Sequence, residues 1–310
     1  MIKVFIDGSS GTTGLRIKDR LSKRNDIELI SLSDEDRHST SRRSEALSCA
    51  DVAFLCLPDA AAIEAVSLTK SDTTVIIDAS TAHRTMPEWA YGFPELSLSH
   101  KEKIQGSNRI AVPGCHAGGF IALVYPLIEA GLLQRDVLLT CHSLTGYSGG
   151  GKAMISQYEN ERSSLLCAPR QYGLSQQHKH LKEMQTITGL SCKPIFSPIV
   201  CDFYSGMEVS VPIFSKMLNN ASVDDIKQVY AEKYQGPVVG FCDELPADGF
   251  LSAATLSATD SMKISVFGND ERIMLTAVYD NLGKGASGAA IECMNIRMGL
   301  SEAEGLDLAL

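Results

Sequence analysis

The chain has no excess of positive charge: 28 lysines and arginines stand against 37 aspartates and glutamates among 310 residues, for a net charge of −9. Duplex binding depends on neutralising phosphates with Lys and Arg, so nucleic acid is a poor partner for this surface and a small-molecule role fits better. Cys-x-x-Cys pairs are missing too. The nine cysteines are odd in number and scattered, which argues against a disulfide framework or a zinc site and fits a reducing cytoplasm. No internal repeat, low-complexity segment or signal-peptide pattern is present, and the chain opens directly into Ile2–Ile6. A membrane span is also disfavoured. The stretch Ile110–Ile128 lacks Asp, Glu, Lys and Arg, but Pro113, Gly114, His116, Gly118, Gly119 and Pro126 interrupt it, so it reads as a buried turn and helix. Hydrophobic residues at 44% and charged residues at 21% are ordinary globular values, and the length fits two domains with proper cores.

What is present begins with a strand, a glycine loop and a helix. Ile2–Ile6 reads as a buried strand, Asp7-Gly8-Ser9-Ser10-Gly11-Thr12-Thr13-Gly14 follows, and Leu15–Leu21 has helical character. In that order the glycines let backbone approach a pyrophosphate and the helix start faces it. The next strand, from Ile27, leads to Ser33-Asp34-Glu35-Asp36-Arg37, where a dinucleotide's adenosine ribose is read. An acid there favours a free 2′-hydroxyl, whereas Ser33 with Arg37, Arg42 or Arg43 would suit a 2′-phosphate; both types are present. Apolar runs at 51–58 and 74–78, separated by the helix-like 60–69, predict a parallel, doubly wound α/β sheet. Arg84, just beyond the carboxyl end of one of these strands, is a candidate anion clamp.

The second focus is Val112-Pro113-Gly114-Cys115-His116-Ala117. Apolar residues at 120, 123, 124 and 127 recur at helical spacing, so Cys115 sits on a tight turn at a helix start, where partial positive charge favours a thiolate nucleophile. Beyond this helix the texture becomes α+β. Strands are expected over 137–143, 208–213 and 272–279, with helices over 223–234 and 289–298. Thr145–Lys152 is rich in glycine but does not match a P-loop. In Tyr172–Glu183, a metal site at His178 and His180 is disfavoured, because only Glu183 stands beside them and residues two apart on a helix diverge. A single catalytic histidine with Glu183 as its orienter is the sharper reading.

These segments resemble the N-acetyl-gamma-glutamyl-phosphate reductase family of arginine biosynthesis, in its shorter form. The resemblance runs through Gly8–Gly14, Tyr91–Leu96, Val112–Ala117, Ser148–Lys152, Tyr172–Glu183 and Tyr279–Gly288. It implies an N-terminal Rossmann domain that binds NADPH, a second α+β catalytic and dimerisation domain, and a C-terminal helix returning to the first. The boundaries expected are 1–114 plus 286–310 for the former and 115–285 for the latter. It further implies Cys115 as nucleophile, His178 as acid–base, Tyr172 and Glu183 as supports, and association as dimers or tetramers. Cofactor contacts would come from Gly8, Ser10, Gly11, Thr12, Thr13, Gly14, Ser33, Arg37 and Asn281, and substrate contacts from Arg84, Ser148 and Gly149. Where family patterns often place Pro before the Glu, this chain has Lys182. The expected reaction is reduction of an acyl phosphate through a cysteine thioester. A related enzyme acting on aspartyl phosphate or an aminoadipyl phosphate is the alternative, though aspartyl enzymes usually place Asn before the cysteine. A non-catalytic dinucleotide sensor would not need Cys115, His178 and a second domain together, and no tyrosine here supplies the Tyr-x-x-x-Lys pair of a short-chain dehydrogenase.

Overall fold

The computed structural model describes residues 1–309, and the chain divides into two compact units. The first comprises Met1–Pro94, Leu98–Gly114 and Ala286–Leu306. Its strands are β1 (Ile2–Asp7), β2 (Ile27–Ile30), β3 (Val52–Leu55), β4 (Val75–Asp78), β5 (Ala90–Tyr91) and β6 (Arg109–Ala111). They form one parallel sheet in the order β2-β1-β3-β4-β6-β5. Strands β3 and β4 are buried along their whole lengths, as a sheet covered on both faces requires. The covering helices are α1 (Thr12–Leu21), α2 (Thr40–Cys49), α3 (Asp59–Leu68) and α4 (Leu98–Gly106), with the chain's last helix, Gly288–Arg297. That last helix packs Ala289, Ala290, Ile291, Cys293, Met294 and Ile296 into a core with Val4, Ile6, Val52, Phe54 and Ile77. Strand order reverses between β1 and β3, and ligands of open α/β sheets bind at such a switch point.

The second unit holds Glu95–Ser97, Cys115–Gly285 and the chain from Asp307. Its strands β7 (Thr140–Gly146), β8 (Arg170–Gln171), β9 (Ile195–Cys201), β10 (Met207–Phe214), β11 (Val239–Phe241), β12 (Met262–Gly268) and β13 (Arg272–Tyr279) form a mixed sheet in the order β11-β12-β13-β10-β7-β9-β8. The helices are α5 (Cys115–Glu129), α6 (Gly151–Glu159), α7 (His180–Thr188) and α8 (Val223–Lys233). Helix α5 packs against β10 and β13 and against α7 and α8, which explains its lack of charge. Among the described residues no helix is long and apolar enough to cross a membrane. Pro126 inside α5 cannot donate to the Ala122 carbonyl, and Tyr234 fills the vacancy, its hydroxyl donating to that oxygen at 2.6 Å.

One strand boundary differs from expectation. Strand β7 begins at Thr140 instead of 137, because Val137 donates to Gln134 in a turn and Leu138 stays exposed. The glycine-rich segment is ordered: Tyr147–Gly150 is a 3-10 turn whose Tyr147 and Ser148 amides donate to Phe203 and Tyr204, and α6 follows at once.

Candidate active site

The loop after β1 is shaped by its glycines. Gly8 has φ +86°, and a Cβ there would lie 2.3 Å from the Cys56 carbonyl oxygen; a Cβ on Gly14 would lie 2.4 Å from the Gly8 oxygen. Gly11 caps α1 without a side-chain bond, and a Cβ on it would meet nothing closer than 3.4 Å, so it leaves the space above the helix start clear. The first-turn amides of α1 lack intrahelical partners and face that space, the arrangement that takes a phosphate. Thr12 and Thr13 are the first two residues of α1. Beside the loop is a cleft of about 620 Å³ lined by Gly8, Ser9, Ser10, Lys18, Leu32, Asp34, Arg37, His38 and Arg43, among others. These residues fit a dinucleotide.

The arginines differ in how they are engaged. Arg43 donates twice to Asp7, at 2.9 and 3.1 Å, and once to Glu64 at 2.9 Å, so its charge is largely spoken for. Burial still holds the Asp7 carboxyl above its ordinary range, against the pull of Arg43. Arg42 pairs with Glu45 and Asp36 and does not line the cleft. Arg37 does line it, half-exposed, 3.2 Å from Asp34. The Ser33 hydroxyl accepts the Asp36 amide at 3.1 Å, capping the turn that presents Arg37.

In the second unit Cys115 is the first residue of α5, where the helix's free amides and partial positive charge lie. Gly285 lets the chain pass close by, since a Cβ there would sit 3.2 Å from Cys115 Cβ. The Tyr279 hydroxyl donates to the Cys115 carbonyl and accepts from the Gly119 amide, bracing the turn that carries the thiol. Gly119 makes room for that ring: a Cβ would fall 2.5 Å from the hydroxyl. Gly283–Ser287 is a π-helical turn, and within it Lys284 is buried against Glu95 at 2.7 and 2.8 Å.

Around His116, the next residue, four more polar side chains gather. Its Nδ1 lies 2.6 Å from Ser143 Oγ and its Nε2 2.7 Å from the Tyr172 hydroxyl. The ring centroids of His178 and His180 are 6.0 and 5.7 Å away, and Phe196 closes the cluster at 5.3 Å. Burial, with the neighbouring His178, pushes the His116 pKa down to about 3, so the ring is neutral. Burial and the charge of Cys115 hold the Tyr172 phenol well above its usual range. His178 is shifted down by burial and by Lys179, and its Nδ1 accepts the His180 amide at 3.2 Å. Neutral His178 therefore carries its proton on Nε2 and acts as a donor.

The premise that His178 and His180 diverge along one helix is corrected here. His178 lies in the loop before α7, which begins at His180, and the two rings meet edge to face at 4.7 Å. Among the described residues no cluster suited to a metal ion is found. Glu183 is buried in the first turn of α7, while Lys182 is exposed and the helix runs through it. Of the substrate candidates, Ser148 is committed elsewhere: its amide donates to Tyr204 and its hydroxyl accepts from Asn281 at 3.0 Å. Gly149 is exposed. Asn281 belongs to the second unit, where its two amide ends hold Ser148 and the Gly206 amide and so brace a loop there. Arg84 is buried, with Nε on the Val112 carbonyl at 2.8 Å and Nη2 on that of Ala79 at 2.9 Å, bracing the strand end that leads into the Pro-Gly turn. Three participants escaped the sequence reading: His116, Ser143 and Tyr279. Only adjacency to Cys115 could have pointed to His116, and nothing local marks Ser143.

Residues 3–105 match the model of the semialdehyde dehydrogenase NAD binding domain, and residues 115–281 that of the semialdehyde dehydrogenase dimerisation domain. A relative from Nostoc sp. named N-acetyl-gamma-glutamyl-phosphate reductase 2 is 45% identical over 98% of this chain and 99% of its own length. The chain belongs to the N-acetyl-gamma-glutamyl-phosphate reductase family. Other reductases of this name, from Brucella ovis at 44% identity (96% of this chain, 99% of that one) and Pseudomonas putida at 41% (97% and 98%), cover it as fully. In fold, this family member is similar to aspartate semialdehyde dehydrogenase II of Vibrio cholerae, solved with ASA (TM-score 0.72, 15% identity, 96% and 98% coverage). It is also similar to the aspartate semialdehyde dehydrogenase of Candida albicans solved with NADP (TM-score 0.65, 16% identity, 96% and 98% coverage).

Proposed function

We propose that this chain reduces N-acetyl-gamma-glutamyl phosphate to N-acetyl-L-glutamate 5-semialdehyde, with release of phosphate and with NADPH as reductant, as a step of arginine biosynthesis. The observation that carries the reading is a cysteine on the first turn of a helix, next in the chain to His116, around which Tyr172, His178 and His180 gather. In the first half-reaction the Cys115 sulfur attacks the acyl carbon; the C–S bond forms, the bond to phosphate breaks and a thioester remains. When bound, NADPH supplies the hydride that reduces this thioester. Collapse of the resulting thiohemiacetal returns the thiolate and frees the aldehyde. Nε2–H of His178 donates to the carbonyl oxygen as charge builds on it, an acid's part of the acid–base role, and Tyr172 and Glu183 support it. Gly8, Ser10, Gly11, Thr12, Thr13 and Gly14 are the pyrophosphate contacts, Ser33 and Arg37 the 2′-phosphate contacts, and Arg84 and Gly149 the remaining substrate candidates.

We place the enzyme in a reducing cytoplasm, in keeping with nine free cysteines, and assign it a homodimer or homotetramer. The mixed sheet's exposed apolar surface supports such association: Leu138, Phe214 and Met274 stand exposed around a groove of about 550 Å³, suited to a second copy. The test is NADP⁺ reduction with N-acetylglutamate 5-semialdehyde and inorganic phosphate. Phosphate-dependent turnover is expected. Preference for aspartate semialdehyde would move the chain to the alternative substrate, and phosphate-independent oxidation would point to a hydrolytic aldehyde dehydrogenase.

A further inference from the structure

We propose that His116 is a positioning residue that turns the Tyr172 hydroxyl into a hydrogen-bond donor toward the reacting centre at Cys115, through a Ser143–His116–Tyr172 chain. The consequence for turnover rests on the thioester reading above; the geometry does not. Ser143 is fully buried on β7, and among the described residues His116 Nδ1, 2.6 Å away, is the partner of its hydroxyl. The other end of the ring, Nε2, is 2.7 Å from the Tyr172 oxygen.

A neutral imidazole has one donor nitrogen and one acceptor, so only two arrangements exist. If Nδ1–H donated to Ser143, the serine's own proton would be orphaned in a fully buried place. If Ser143 donates to Nδ1, that proton is satisfied and the one left over is that of Tyr172, whose side chain is only half-buried and can offer it to solvent or a ligand, the cheaper deficiency. The second arrangement therefore holds. It fixes the His116 proton on Nε2, and Nε2–H donates to the Tyr172 oxygen. Tyr172 cannot then donate back to His116, and its own proton is left to point elsewhere. The low His116 pKa keeps the ring from becoming a donor at both ends, and the high Tyr172 pKa keeps the phenol protonated. Cys115 is the residue beside His116 in the chain, and after burial its charge is what raises the phenol's pKa, so the freed Tyr172 proton lies within electrostatic reach of Cys115.

The test begins with the unmodified full-length protein labelled with 15N-histidine. Long-range 1H–15N spectra should show His116 protonated on Nε2; an Nδ1-protonated ring overturns the proposal. Paired variants then read the consequence. In His116→Gln the amide nitrogen can stand near the place of Nε2, whereas in His116→Asn it stands near that of Nδ1 and cannot reach Tyr172. His116→Gln should stay within about tenfold of the parent kcat and His116→Asn should fall about 10²-fold, the scale of a lost oxyanion donor, with KM little changed. In a Tyr172→Phe background the two should become equal. Alkylation of Cys115 by iodoacetamide needs no substrate, so slower alkylation in His116→Asn than in His116→Gln would stand even if the assigned acyl phosphate were wrong. Equal losses in two folded variants would reduce His116 to packing and sink the idea.

Discussion

The two units place their chemistry in different parts of the residue. In the first, the groups that fit a dinucleotide are main-chain amides, and the side chains that matter at Gly8, Gly11 and Gly14 are the missing ones. In the second, the proposed working groups are the side chains of Cys115 and of the cluster beside it, where His116 meets Ser143, Tyr172 and His178 from α5, β7, the loop after β8 and the approach to α7. A backbone site fails when an atom is added, and a side-chain site fails when one is removed. Each of the following experiments presses on that contrast.

The largest effect belongs to Cys115. Cys115→Ala should lower turnover on the order of 10⁴-fold or more, because it removes the covalent step, while NADPH binding measured by fluorescence titration stays near the parent value. Gly8→Ala should do the reverse. With φ at +86° and the Cys56 oxygen 2.3 Å from the new Cβ, it should weaken NADPH at least tenfold and cost about 2 kcal/mol or more of stability. Its Cys115 alkylation rate should be unchanged. If Gly8→Ala bound cofactor normally, the backbone account of the first unit would be lost.

The same contrast explains what the sequence could say. A site made of consecutive backbone can be recognised from spacing, so strand, Gly8–Gly14 and helix were legible together, as was the turn that starts α5 at Cys115. The Tyr172–Glu183 segment was legible only as a string. A helical period was imposed on it, whereas the chain leaves β8, turns through Gly173 and starts α7 at His180, and this swings both histidines toward His116. Ser143 could not be found in advance, because its role depends on the side of β7 it occupies. Asn281 poses the same difficulty. A signature near the end of the chain does not tell which unit uses its side chain, and here both ends of the amide are taken by Ser148 and Gly206.

Next in size is a pH effect confined to the second unit. His116 is shifted from 6.5 in the unfolded chain to about 3 in the fold. Because the folded value is the lower one, the unfolded state takes up this proton first as pH falls. Stability from the neutral ring is complete above pH 6.5 and drains away by about 1.4 kcal/mol per unit below it, until about pH 3. His178, also shifted down, adds to the loss with the same sign. Between pH 7 and 5, urea unfolding should show a loss of about 2 kcal/mol from His116 alone, and His116→Gln should flatten the profile by that amount. An unchanged slope in the variant would mean that the ring is solvated and charged at pH 5.

The smallest effect tests the one place where the first unit must rely on a side chain. Selecting a 2′-phosphate cannot be done by amides at the pyrophosphate, so it falls to the cations of the cleft. Arg43 is held by Asp7 and Glu64, and Arg42 faces Glu45 and Asp36 outside the cleft. Arg37 remains, with Asp34 as its competitor for the same charge. Since its side chain is 48% exposed, the contact is screened and should be worth only about 1 kcal/mol. Arg37→Ala should therefore lower the NADPH-over-NADH ratio of kcat/KM about fivefold, a difference that shrinks further in high salt. Arg42→Ala should leave the ratio alone, and Asp34→Asn should raise it. If Arg37→Ala changed nothing and Lys18→Ala lowered the ratio instead, the phosphate would be read from α1, by the same element that offers its amides.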